Sequence, residues 1–153
     1  MASAFQPLVL VAGDCHERPP GFTKPAPRFL IVDDDEGVRE LFTRLLRFEG
    51  YAVRAVATAG AALEAVAEWR PDAILLDYFM PLVNGVGFLY RLRADESASR
   101  TPVAVITGAN DVQGALSSEC ARLGAAVYFK PIGRDGLRNL AHALLTSNGA
   151  PML

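Results

Sequence analysis

Residues 29–40 read FLIVDDDEGVRE. Phe29 to Val32 make an apolar run of strand length, too short for a buried helix and rich in residue types that favour strands. Asp33, Asp34, Asp35 and Glu36 end that run. Val38, Leu41, Phe42, Leu45 and Leu46 then recur at spacings of three and four, which is the apolar stripe of a helix. A strand that passes through an acidic turn into a helix is half of a parallel crossover unit.

The same alternation continues down the chain. Further strands are expected at Tyr51 to Val56, Ala73 to Leu76, Val103 to Ile106 and Ala125 to Phe129. Their apolar character is nearly continuous, as in strands covered on both faces. Thr58 can cap an Ala-rich helix that runs to Trp69 and is ended by Pro71. Asn84 or Gly85 opens a helix towards Arg93, and Asn110 or Asp111 opens one towards Leu123, with Gly124 as its stop. Leu137, Leu140, Ala141, Leu144 and Leu145 stripe the last helix. Five strands alternating with five helices predict an α/β fold, a five-stranded parallel sheet wound on both faces in (βα)5 order.

The chain has 153 residues, 51% hydrophobic and 21% charged, which suits one folded domain and excludes disorder of the whole. Pro19, Pro20, Gly21, Pro25 and Pro27 crowd the N-terminal stretch, where neither a helix nor a central strand can pass. Residues 1–27 are therefore expected to form a flexible proline-rich tail, 28–148 the folded body and 149–153 a C-terminal tail. Cys15 and Cys120 make no disulfide framework, and Cys15 beside His16 lacks the further ligands of a metal site. The run from Pro7 to Ala12 is short, follows no basic residue and leads to Asp14 before Cys15, so it does not read as an export signal. No apolar run approaches the ~20 residues that span a bilayer. A cytoplasmic protein without a membrane partner is expected. Fifteen basic against seventeen acidic residues leave a net charge of −2, too balanced to hold nucleic-acid phosphates by bulk electrostatics, so no nucleic-acid partner is expected either. Thirteen of the fifteen basic residues are Arg, and the lysines are Lys24 and Lys130.

In a doubly wound sheet, ligands bind outside the carboxyl ends of the strands. The residues there are Asp33, Asp34, Asp35 and Glu36 after the first strand, Asp77 after the third, Thr107 and Gly108 after the fourth, and Lys130 with Pro131 after the fifth. Carboxylates that converge on one rim repel unless a cation sits among them, and hard oxygen ligands suit Mg2+ or Mn2+. A hydroxyl and an ammonium add donors for an anionic group, and the whole set suits phosphoryl handling. Blander readings weigh against single members. One or two of the four acidic residues can serve the N-terminus of the next helix, and Thr107 alone would more often be satisfied by backbone. Asp77 resists such a reading, because it interrupts Ile74-Leu75-Leu76 and Tyr78-Phe79-Met80, where a carboxylate needs a partner. The Lys130–Pro131 bond is a candidate for the cis form, which would set the direction of the lysine. Trp69 reads as cover for a helix end, His142 as solvated and Cys120 as packed. Gly85 and Gly87 form a G-x-G too weak to claim a dinucleotide site.

The segments FLIVDDDEGVRE, LLDYFMPLVNG, VAVITGAN and YFKPI, in this order, resemble the receiver domain of two-component response regulators over about residues 28–148. The resemblance implies a flavodoxin-like, chemotaxis-regulator-like phosphoprotein that is not an enzyme beyond its own phosphorylation and dephosphorylation. It implies Asp77 as phosphoacceptor, with Thr107 and Lys130 contacting the phosphoryl group. Asp33, Asp34, Asp77 and the backbone carbonyl of Phe79 would ligate Mg2+ or Mn2+. A sensor histidine kinase or phosphotransfer protein would donate the phosphoryl group, and a downstream protein would read the signal by contact, with the chain a monomer or a phosphorylation-linked dimer. Phe79 and Ala109 stand where the family often has polar residues that guide a hydrolytic water, so slow hydrolysis of the aspartyl phosphate is expected. Three residues before the lysine the family usually has Tyr or Phe, whereas Val127 stands here and Tyr128 follows. Either the strand register shifts by one residue or the aromatic switch is lost.

Two rivals remain. A degenerate receiver would act purely as a binding module, which the intact Asp34, Asp77, Thr107 and Lys130 argue against. A phosphohydrolase of the haloacid dehalogenase type would use Asp33 and Asp35 as D-x-D and needs an acidic pair after the lysine, where this chain offers Asp135 alone. Lys130 is the one lysine of the expected body. A phosphoryl site calls for such a compact charge on a flexible stem, which the planar guanidinium of Arg does not reproduce.

Overall fold

The computed structural model describes residues 24–108 and 113–147. Most of the expected tail, with Cys15 and His16, lies outside these residues, as do Ala109, the helix opening at Asn110 or Asp111, and the stretch 149–153. In chain order the elements are β1 (Arg28–Val32), α1 (Glu36–Phe48), β2 (Ala52–Val56), α2 (Ala59–Trp69), β3 (Ala73–Asp77), α3 (Gly85–Ala94), β4 (Val103–Thr107), α4 (Gln113–Arg122), β5 (Ala125–Phe129) and α5 (Arg134–Thr146). The strands form one parallel sheet in the order β2-β1-β3-β4-β5, with the reversal of winding between β1 and β3.

Alternation along the strands divides the core in two. Leu30, Val32, Ile74, Leu76, Val103 and Val105 point to the face covered by α2, α3 and α4. Phe29, Ile31, Leu75, Ala104 and Ile106 point to the face covered by α1 and α5. Every residue of β3 and β4 is buried, which explains their unbroken apolar runs. Each buried Leu, Ile or Phe adds about 1.5–3 kcal/mol of burial free energy, so the sheet centre is the rigid base on which the strand ends stand.

The helix ends follow local chemistry. Asp35 caps α1 by accepting the Val38 N–H at 3.1 Å, Thr58 caps α2 through the Ala61 N–H at 3.1 Å, and Asn84 caps α3 through the Gly87 N–H at 2.9 Å. After α4 the chain turns at Gly124, with φ at +68°, a left-handed conformation that suits glycine. Arg70 ends α2 in the same region ahead of Pro71. Four strand termini differ from expectation by one residue: β1 starts at Arg28 and β2 at Ala52, and Asp77 and Thr107 are the last residues of β3 and β4 rather than the first of the loops, since each still has a ladder partner, in Ile106 and Phe129.

The register of β5 fixes which face each of its residues takes. Val105 pairs Val127, Ile106 pairs Tyr128 and Thr107 pairs Phe129, with no slip. Val127 packs on the α4 side and Tyr128 on the α5 side. The residue three before Lys130, Val127, therefore puts no aromatic ring on the α4 side of the sheet.

Candidate functional site

Four strand ends bring the site together. Asp33 follows β1 and is buried at 3% exposure, Asp34 next to it is exposed, Asp77 ends β3 at 7% and Thr107 ends β4 fully buried. Lys130 follows β5, half-buried, and its backbone N–H donates to the Thr107 carbonyl at 2.8 Å, which ties the lysine to the end of β4. The Lys130–Pro131 bond is cis. The Lys130 ammonium donates to Asp33 Oδ2 at 3.1 Å and to Asp77 Oδ1 at 3.4 Å. The other oxygen of Asp33 accepts the Asp35 N–H at 2.9 Å.

Carboxylate oxygens of Asp33, Asp34 and Asp77 lie within 4.8 Å of one another, the group among the described residues that could hold a metal ion. Burial pushes the Asp77 carboxyl up to about 6; repulsion from Asp33 adds to this, Lys130 counteracts it and Asp34 adds a little more. Burial pulls the Lys130 ammonium down, but the Asp77 and Asp33 carboxylates outweigh it and hold the group above the usual lysine value. Three carboxylates against one ammonium leave two negative charges, all carried by hard oxygen donors. That donor set fits a divalent cation such as Mg2+.

Phe79 projects from the β3–α3 loop at 54% exposure, its ring edge-to-face on Tyr78 with centroids 4.7 Å apart. It offers no polar side chain beside the carboxylates. Asp35 faces elsewhere, since its carboxylate caps α1. The D-x-D arrangement of the hydrolase reading is thus not formed. Cys120 is buried, with its thiol pushed up by burial and by Glu119, and His142 is exposed, as expected of both. Trp69 is flanked by Arg28 and Arg54, whose guanidinium carbons lie 5.8 and 5.0 Å from its ring.

Two residues that support the site have no role there in the sequence reading. A Cβ on Gly85 would stand 2.7 Å from the Asp77 carbonyl oxygen and 3.1 Å from the Tyr78 Cα, so only glycine lets α3 start against the backbone of Asp77. In the sequence Gly85 reads only as a possible helix start, where α3 does begin, and as part of a G-x-G too weak to claim a dinucleotide site. Arg39, on α1, reaches back so that Nη1 donates to the Asp33 carbonyl at 2.9 Å and the Asp34 carbonyl at 3.0 Å.

Comparison with known proteins agrees with this fold. A family model described as response regulator receiver domain matches residues 29–142. The DNA-binding response regulator MtrA of Mycolicibacterium smegmatis is 40% identical over 84 residues, 55% of this chain and 36% of that protein. Response regulator MprA of Mycolicibacterium vanbaalenii is 36% identical over 119 residues, 77% of this chain and 50% of that one. The chain thus spans half or less of the length of these relatives. Among solved structures, the chemotaxis protein CheY4 of Vibrio cholerae matches with a TM-score of 0.74 at 25% identity, covering 79% of this chain and all of that one. A response regulator from Chloroflexus aurantiacus matches at 0.73 and 28% identity, covering 80% and 99%.

MtrA corrects one expectation. A relative that is DNA-binding by name overturns the exclusion of nucleic acid as a partner. The physical reason is that a net charge of −2 describes how this chain's own surface meets phosphates and carries no information on what a receiver controls. As for membranes, no helix among the described residues is long and apolar enough to cross one.

Proposed function

The chain belongs to the response regulator receiver domain family, and from that premise we propose that it is a phosphorylation-dependent signalling switch whose phosphoacceptor is Asp77. The observation that supports this most directly is the Lys130 ammonium shared between Asp33 and Asp77 beside the fully buried Thr107. These are the groups that an incoming phosphoryl oxygen would meet.

With a pKa of about 6, Asp77 is mostly ionised at neutral pH and can act as a nucleophile. One of its oxygens attacks the phosphorus of a phosphohistidine on a histidine kinase or phosphotransfer protein. The P–N bond breaks, its electron pair leaves with the imidazole nitrogen, which takes up a proton, and the new P–O bond completes an aspartyl phosphate. Lys130, already within 3.4 Å of Asp77, turns an N–H to the arriving phosphoryl group, and the Thr107 hydroxyl supplies a second donor. Asp33 and Asp34, with Asp77 and the Phe79 carbonyl, would hold Mg2+, which when bound offsets the repulsion between carboxylate and phosphoryl oxygens. Contacts that exist only with the phosphoryl group present favour one state of the domain, which is what a switch requires.

Beyond its own phosphorylation and dephosphorylation the chain needs no catalytic activity. Its output is read by contact with another molecule, and the name of MtrA supports nucleic-acid binding as one activity that such a switch controls. A cytoplasmic setting suits a phosphohistidine donor. The test is intact mass spectrometry after incubation with acetyl phosphate or phosphoramidate and Mg2+. The native chain is expected to gain one phosphoryl group and Asp77→Asn none; equal labelling of both would overturn the assignment.

A further inference from the structure

Asp33, Asp34 and Asp35 leave β1 in succession, and their carboxylates are fixed in different ways. Asp33 is held by the Asp35 N–H and by Lys130, and Asp35 is held by capping α1. The exposed Asp34 carboxylate accepts no hydrogen bond among the described residues, yet it completes the acidic group with Asp33 and Asp77. Its direction depends on its backbone.

That backbone is held by Arg39. The half-buried Arg39 makes no ion pair with any carboxylate among the described residues; its Nη1 bonds the consecutive carbonyls of Asp33 and Asp34 instead. Two carbonyls turned to one donor on the α1 side orient the peptide planes at the point from which the Asp34 side chain leaves. We propose that Arg39 is a positioning residue for the divalent-metal site, cross-linking the Asp33 and Asp34 carbonyls so that the Asp34 carboxylate stands ready beside Asp77. This inference rests on the reading of the acidic group as a metal site.

Charge alone makes the opposite prediction, which gives the test its sign. Removing a cation near a divalent-ion site lowers electrostatic repulsion and should tighten binding. Removing a group that orients a ligand should weaken it, and partners of metal ligands typically matter by ten- to a hundredfold in affinity. Mg2+ titrations of the native chain, followed by the amide NMR shifts of residues 33–35 and 77–79, read that affinity without phosphorylation. Arg39→Met is expected to weaken Mg2+ binding about tenfold at unchanged metal-free fold, as judged by amide shifts away from the loop. Arg39→Gln, also uncharged and better tolerated at a half-buried position, is expected to weaken it similarly and carries the test if the Met variant does not fold. Arg39→Lys, whose ammonium has donors for both carbonyls, should return affinity to within about threefold of native. Unchanged or tighter binding by an uncharged variant, or no recovery with Lys, would overturn the proposal while native binding of Mg2+ still stood. Failure of the native chain itself to bind Mg2+ would remove the metal site and this inference with it.

Discussion

Replacing Asp77 with Asn in the metal-free chain is expected to stabilise the fold, by an amount that depends on pH. Burial first, then Asp33, raise the Asp77 carboxyl from an ordinary 3.8 to about 6 in the folded chain. Between those pH values the folded chain keeps a proton that the unfolded chain releases, so native stability falls as pH rises through this window and is level above it. At about 1.4 kcal/mol per pKa unit, the ionised Asp77 costs the native fold about 3 kcal/mol at neutral pH. Asn removes that cost but also one of the two carboxylates that Lys130 bonds, which leaves Asp33 at 3.1 Å as its partner. The net gain should be about 1–3 kcal/mol at pH 7–8, shrinking between pH 6 and 4 and absent below. Urea unfolding of both chains from pH 4 to 8 in EDTA, followed by circular dichroism, measures it. Mg2+ should then stabilise the native chain and leave the Asn variant nearly unmoved, because a ligand stabilises only the fold that binds it. A gap that does not vary with pH, or an Asn variant less stable than native at pH 8, would refute the electrostatic account of the site.

Phe79→Asn places a polar side chain where water could be oriented, and loss of the phosphoryl group from Asp77 should speed up severalfold to about tenfold, measured by intact mass against time; no acceleration would count against Phe79 as the cause of slow hydrolysis. Gly85→Ala puts a methyl 2.7 Å from the Asp77 carbonyl oxygen, so it should destabilise the fold by about 1–3 kcal/mol in urea and slow labelling of Asp77 by acetyl phosphate. Native stability and labelling rate in that variant would mean that α3 can move away without disturbing the acceptor.

The parts of this molecule that could be read in the sequence are those where local pattern and tertiary role coincide. Strands covered on both faces are apolar at every position, so Ile74-Leu75-Leu76 and Val103 to Ile106 declare themselves, and the polar residue that ends each run is at the site because of the fold's geometry. Lys130 stood out because the chain uses Arg almost everywhere else. The roles of Gly85 and Arg39 could not be read, because they depend on approaches that spacing does not encode. Gly85 matters through a backbone eight residues earlier, brought close by the β3–α3 loop. Arg39 lies on α1, which was read by its apolar stripe alone, and its guanidinium folds back past the first turn to carbonyls outside the helix. Net charge misled about nucleic acid because it averages over a surface, whereas a partner is chosen by the state that a switch favours.

The regular register of β5 limits which side chains stand between the proposed acceptor site and the α4 face. No ring at position 127 can swing towards Thr107, since Val127 is packed against the α4 side of the sheet and Tyr128 is committed to the other face. The C-terminal end of α4 is tied to α3 by Arg93, which donates to the Leu123 carbonyl at 2.7 Å and the Gly124 carbonyl at 3.4 Å while also holding the Ser99 and Thr101 carbonyls. Tyr90 of α3 reinforces the tie through Glu119 and Arg122. On the side facing the sheet, Leu116 and Cys120 of α4 are buried in the same cluster that Val127 of β5 packs against, so the fastened helix is also seated on β5.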